Sequence, residues 1–391
     1  MTSTSATPAG WHQDLGRGAA GTALARIAAA RLTGLPPRAT ASWVRAMTAD
    51  PVTANASAGL FYGAPAVAFV MHTGAHPAYA AMLAALDEHV NDLTAQKLAA
   101  AYQRIDCGEL TRPGEYDLIS GLTGLGAYHL LRHGPAGPGM TAAVLGYLVA
   151  LSEPVRKDGE SLPGWWSGTG PAGAPDPAWP GGHLNLGMAH GIAGILALLS
   201  GAMRVGIQVD GQARAVSELC AAFDRYRQGS GACPWWPAMI TPGEHKRGRA
   251  DSGRQGRPSW CYGTPGQARA QQLAGLALGD RERMSAAERA LAGCVLDRRV
   301  TGLLADASLC HGWAGLVQAL WRAAGDALDP RPLGAALREA RRGMEDHLAR
   351  AGPPASSGLL EGTSGIQLAQ NDLPHAGGEP PAWDACLLLT L

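Results

Sequence analysis

A chain of 391 residues in which 32 Lys+Arg balance 32 Asp+Glu has no formal net charge, which removes the electrostatic footprint of a nucleic-acid or anionic-membrane binder. Hydrophobic residues at 46% exclude disorder over most of the length, even though 53 Gly and 27 Pro make up about a fifth of it. Only 16% of residues are charged, so much of the chain is expected to face other protein or a broad interior.

Residues 1–15 lack a basic and then apolar signal pattern, and no run reaches ~18 uncharged apolar residues, so a cytoplasmic protein is expected. The first recognisable element is a G-x-x-G pair at 18–21 that opens the apolar run TALARIAAA. The same pattern returns at 63–66, where Ala66 replaces the second glycine, and at 121–124, 191–194, 263–266, 312–315 and 362–365. Each copy leads into an apolar helical run, and the first glycines stand 45, 58, 70, 72, 49 and 50 residues apart. The shorter intervals hold two helices of roughly 12 residues with their connections. Amphipathic stretches at 79–93, 140–151, 213–226, 286–296 and 332–348 supply the second helix of five repeats. The fold class expected is all-α: an α/α toroid of seven inner motif helices and seven outer amphipathic ones, spanning 1–391 as one domain. The apolar terminus WDACLLLTL favours a closed ring over an open solenoid, whose ends need polar caps. The two long intervals contain Pro-, Gly- and Trp-rich segments, 153–183 and 228–260, expected as ordered irregular loops that form a mouth above the helix starts at Gly191 and Gly263.

The chemistry collects in the two residues before each first glycine, which occupy equivalent places around the ring. Gly16-Arg17, Phe61-Tyr62, Ile119-Ser120 and Leu360-Glu361 are unremarkable by composition, whereas Ala189-His190, Cys261-Tyr262 and Cys310-His311 are not. Cys261, Cys310 and His311 offer two soft thiolates and an imidazole, a set that suits tetrahedral zinc with an open fourth place, as in catalytic sites. One Zn2+ per chain is expected. The competing reading makes the cysteines buried hydrophobes and His311 a cap; their shared register speaks against it. The other five of the seven cysteines fall outside the register, and an odd number without a signal peptide argues against a disulfide framework. His190 is the best general acid or base, Asp117 either an orienting carboxylate or an N-cap, and Arg257 stands four residues before Cys261. The G-x-G-x-x-G at 16–21 follows no strand and has no acid ~20 residues on, so it is the first repeat and no dinucleotide site.

The ordered motifs GMAHGIAG, WCYGTPG and CHGWAG resemble those of the LanC-type lanthionine synthetases, the cyclases of lanthipeptide biosynthesis, and the resemblance covers all seven repeats. It implies an α/α toroid with one zinc on Cys261, Cys310 and His311, and further active-site positions at His190, Asp117, Tyr262 and Arg257. Some members carry a small domain between early repeats, for which the 58 residues from Gly63 to Gly121 leave little room. The implied reaction is Michael addition of a peptide cysteine to dehydroalanine or dehydrobutyrine. His190 is the first choice as proton donor to the enolate and a zinc-side water or Tyr262 the second, with Arg257 on the enolate oxygen and Asp117 holding His190 or Arg257. Implied partners are a dehydrated precursor peptide and, in a biosynthetic complex, a dehydratase and an exporter that bring the chain to the membrane; nucleic acid is not among them. Two alternatives stay open: addition of glutathione or another small thiol to dehydroamino acids, and a non-catalytic peptide-binding scaffold.

Overall fold

The computed structural model describes residues 10–33, 40–133, 137–157, 159–251, 253–371 and 382–390; residues 1–9, part of the segment read for a targeting signal, lie outside them. Helices of seven or more residues follow in chain order as α1 (Ala19–Thr33), α2 (Ala41–Met47), α3 (Ala64–Gly74), α4 (Ala80–Asp106), α5 (Leu122–His133), α6 (Pro138–Ala150) and α7 (Ile192–Arg204). They continue as α8 (Gln212–Tyr226), α9 (Thr264–Leu278), α10 (Arg281–Leu296), α11 (Trp313–Gly325), α12 (Pro330–Ala351) and α13 (Thr363–Asn371).

The odd-numbered helices are the seven motif helices, each packed on the next, and α13 returns to α1, so the ring closes. Each even-numbered helix packs outside the motif helix that precedes it. The protein is thus an all-α toroid. Six outer helices lie among the described residues, and the place of the seventh, after α13, falls on 372–381, outside them.

Burial follows this division. Outer helix α12 buries Leu333, Ala336, Ala340 and Met344, one stripe at spacings of three and four. Inner helix α7 is buried at every position from Ile192 to Ala202, because it is enclosed by ring neighbours, its outer helix and the centre. The second glycine of the motif makes the entry tight: a methyl at Gly266 or Gly315 would land on the backbone carbonyl of Trp260 or Leu309, six residues earlier.

The centre is closed from one side by the chain's last described segment. Trp383 and Leu387–Leu389 are fully buried there, the Trp260 indole N–H donates to Leu387 O at 2.9 Å, and Arg269 Nε donates to Leu389 O at 2.9 Å. Asp384 accepts both nitrogens of the Arg322 fork at 2.6 Å. The apolar terminus read as a sign of closure is therefore the plug of the ring.

The two irregular segments, with the two residues that follow the first, form short antiparallel ladders: β1 (Val155–Lys157) with β2 (Glu160–Leu162), β3 (Leu184–Asn185) with β6 (Met239–Ile240), and β4 (Gln228–Ser230) with β5 (Cys233–Trp235). The β3–β6 pair ties one segment to the other. Among the described residues no helix is long and apolar enough to cross a membrane.

Candidate active site

The register inferred from the motifs is held by backbone hydrogen bonds that run once round the ring. Leu15 N–H donates to Phe61 O, Phe61 to Ile119, Leu118 to Ala189, Ala189 to Cys261, Cys261 to Cys310, Cys310 to Leu360, and Leu360 to Gly16, at 2.8–3.4 Å. Residues on neighbouring repeats are thereby fixed side by side. A cavity of about 310 Å³ opens on this circle, lined by all seven residues two before the motif glycines and by Arg17, Tyr62, Ser120, His190, Tyr262 and Glu361 one before them. Of its lining residues Trp260 alone comes from 153–183 or 228–260, so the irregular loops contribute one edge rather than the mouth expected of them; they surround a separate groove of about 850 Å³ that includes Leu162, Trp165 and Tyr226.

Cys261, Cys310 and His311 converge with one ligand atom each, all within 4.8 Å of one another. A backbone hydrogen bond links the two repeats that carry this trio, Cys261 N–H donating to Cys310 O at 3.1 Å. The two thiols lie close enough that ionising one disfavours ionising the other. Cys261 is brought down to about 6, first by the Cys310 hydrogen bond, then, against burial, by the Ser259 hydroxyl and the charges of His311 and Arg257; Cys310 is correspondingly pushed up. His311 Nε2 lies 3.2 Å from Asp306 Oδ2, a contact that raises the imidazole, holds Asp306 below the usual carboxylate range, and leaves Nδ1 to the cluster. Two thiolates that neutralise a dication, and an imidazole fixed through its other nitrogen by a carboxylate, are a zinc donor set with its supporting partner. The residues fit the metal.

On the same cavity His190 Nδ1 meets Asp117 Oδ2 at 2.6 Å, and the other oxygen, Oδ1, accepts the N–H groups of Ser120 at 2.7 Å and Gly121 at 2.9 Å. Asp117 thus orients His190 with one oxygen, while the other ties the turn at Ser120 and Gly121 ahead of the helix that starts at Leu122 rather than capping that helix. Burial disfavours a charged His190, but the Asp117 hydrogen bond and charge, with that of Cys261, leave its pKa raised. Asp117 is 3% exposed and His190 34%, so Nε2 is left to the cavity. The Tyr262 ring stacks on His190 with centroids 5.9 Å apart, and burial, then the Cys261 charge, pushes its phenol up to about 12. Arg257 is the exception among the expected residues: it is exposed and outside the cavity lining, and reaches the cluster only through its charge.

Asp306 and Ser259 were not singled out from sequence. Their signal was local: Asp306 Oδ1 accepts Ser308 N–H at 2.8 Å in the turn before Cys310, and Ser259 stands two residues before Cys261. Of the cysteines outside the register, Cys107 and Cys233 are exposed and Cys220, Cys294 and Cys386 buried. Burial pushes Cys220 up to about 11 and Cys294 to about 12, as for inert core thiols.

Residues 10–388 match the family described as lanthionine synthetase C-like protein. A curated relative, the nisin biosynthesis protein NisC of Lactococcus lactis subsp. lactis, is 24% identical over 269 residues, 68% of this chain; the match spans 62% of that protein's length. Among solved structures, a nisin cyclase superposes with a TM-score of 0.79 at 21% identity, covering 97% of this chain and 93% of that one.

Proposed function

The chain belongs to the lanthionine synthetase C-like protein family, and from that premise we propose that it closes thioether rings in a dehydrated precursor peptide, adding cysteine thiols to dehydroalanine or dehydrobutyrine. One observation carries the reading: the Cys261–Cys310–His311 cluster and the His190–Asp117 pair open on a single cavity. Adding S–H across a carbon–carbon double bond needs a deprotonated sulfur and a proton donor within one small space.

Cys261, Cys310 and His311 would hold one zinc per chain, with Asp306 fixing the imidazole tautomer. Zinc supplies the charge that keeps a substrate thiol deprotonated at neutral pH, where a free thiol is only a few per cent thiolate. His190 then protonates the α-carbon through Nε2. Asp117 orients the ring through Nδ1 and, by raising its pKa, keeps the donor charged closer to neutrality. Tyr262 remains a phenol at all physiological pH and is the second donor on the same side. Arg257 contributes its charge to the thiolate cluster. The precursor peptide comes from a dehydratase and leaves through an exporter, with the chain working in the cytoplasm beside them.

The test compares Cys310→Ala with His190→Asn on the same day and the same substrate, a synthetic peptide with one cysteine and one dehydroalanine. Wild type is expected to carry about one zinc and to remove the alkylatable thiol without changing the peptide's mass. Cys310→Ala is expected to lose zinc and activity together. His190→Asn is expected to keep zinc and lose ~10²–10⁴ in rate. A mass gain from added glutathione would replace cyclisation with small-thiol addition, and full zinc in Cys310→Ala would remove the ligand assignment.

A further inference from the structure

The residues directly before the motif glycines form a circle of side chains, Arg17, Tyr62, Ser120, His190, Tyr262, His311 and Glu361. The fourth, fifth and sixth places carry the proposed chemistry. The seventh and first carry opposite charges, and nothing in that chemistry uses them. Arg17 Nη2 donates to Glu361 Oε1 at 2.8 Å, and the pair exists because the ring closes: Leu360 N–H donates to Gly16 O at 2.8 Å one residue away on each strand. Asp14 Oδ1 also fixes the Arg17 backbone N–H at 2.8 Å.

Both side chains line the cavity with Cys261, Cys310 and His190. In ring order the pair sits beside Cys310 and across from His190. Glu361 engages one terminal nitrogen of Arg17, whose side chain is 69% open to the cavity mouth and solvent, so further donors of the fork remain for a substrate.

Resting on the cyclase reading above, we propose that Arg17 binds the carbonyl oxygen of the dehydro residue and stabilises the enolate, while Glu361 aims it. As the sulfur bonds to the β-carbon, the carbon–carbon π pair moves toward that oxygen, and negative charge grows where a guanidinium can meet it. The pair then returns to the α-carbon, which takes a proton from His190. The thiol's own proton goes to solvent, and His190 is recharged from solvent, so reactants and product have the same composition. Of the two guanidinium groups near the cluster, Arg17 lines the cavity and Arg257 does not. A donor across the cavity from the acid also separates the two ends of the double bond system, oxygen toward Arg17 and α-carbon toward His190.

The experiment uses the zinc-loaded full-length protein and a synthetic peptide with one cysteine and one dehydroalanine. Arg17→Gln is expected to lower kcat on the order of 10²-fold, with KM within about twofold and zinc content and melting temperature unchanged. Arg17→Lys is expected to recover part of the loss, and Glu361→Gln to lose about tenfold through misplacement of Arg17. Wild-type kcat in Arg17→Gln overturns the proposal, as does a change confined to KM, which marks a peptide contact, or a loss of zinc, which marks a structural brace. A zinc-loaded wild type that leaves the peptide open denies the cyclase reading and this assignment with it; a wild type that closes it while Arg17→Gln does equally well denies Arg17 alone.

Discussion

Asp117 and Asp306 perform the same service for two histidines, and only one of them was visible in advance. Asp117 precedes an apolar helix and shares a motif with Gly121, so both a cap and an orienting carboxylate were readable; the structure gives Oδ2 to His190 and Oδ1 to the turn amides of Ser120 and Gly121, ahead of the helix itself. Asp306 is hidden in a turn that any Asp-x-Ser sequence makes, and its approach to His311 at 3.2 Å depends on tertiary geometry. The His190–Asp117 pair has a testable pH signature. The folded pKa of His190 is raised above the ordinary imidazole value, so the pair's stabilisation is complete below about pH 6.5 and fades as pH rises through the folded pKa. Asp117→Asn keeps an oxygen for the Ser120 and Gly121 amides and removes the charge. Its melting temperature is expected to lie further below wild type at about pH 5.5 than at about pH 9. Thermal denaturation at both pH values checks this, and a gap that stays constant would mean the variant's deficit comes from the turn at Ser120 and Gly121 alone.

Elements were legible where period and punctuation agreed. The stretch expected at 332–348 is α12, and that at 213–226 is α8, each within two or three residues at its ends. The stretch at 79–93 runs on to Asp106, because Leu98 and Ala101 continue the buried stripe through an Ala-rich run of weak contrast. The three ladders in the irregular segments were not legible, since strands of two or three residues among Pro and Gly leave no alternation to read. The motif glycines make the best element-scale prediction. Gly315→Ala drives a methyl onto Leu309 O next to Cys310 and is expected to destabilise by about 1–3 kcal/mol, with weakened zinc retention. Gly334→Ala, in the outer helix α12, would place its methyl no nearer than 3.7 Å to the end of Arg338 and is expected to be neutral or stabilising by up to about 1 kcal/mol. Denaturant midpoints of the two variants separate close backbone approach from mere helix propensity, and equal shifts would deny the packing role of the second glycine.

At the scale of the whole molecule, the apolar terminus that suggested closure does more than complete a ring. It joins the plug to the metal cluster through Trp260, whose indole donates to Leu387 O and whose next residue is Cys261. The plug is in turn anchored by Asp384, fully buried, which receives Gln318 at 2.8 Å and the Arg322 fork at 2.6 Å. Removing the carboxylate leaves Arg322, whose side chain is 17% exposed, with its charge largely desolvated and its main acceptor gone. Breaking a buried pair in this way costs about 3–5 kcal/mol, so Asp384→Ala is expected to unfold at a markedly lower denaturant concentration than wild type. Because the plug contacts both α1 and α5 as well as the Trp260 and Arg269 side chains, its loosening reaches several repeats at once. Zinc affinity is therefore expected to fall in Asp384→Ala under conditions where the ring is still folded, although Asp384 touches no ligand. Zinc titration against a chromogenic chelator, with helicity followed on the same samples, reads both quantities. A variant that unfolds early yet binds zinc as wild type does until it unfolds would show that the plug stabilises the ring without positioning Cys261, and would confine the metal site's support to the backbone circle and Asp306.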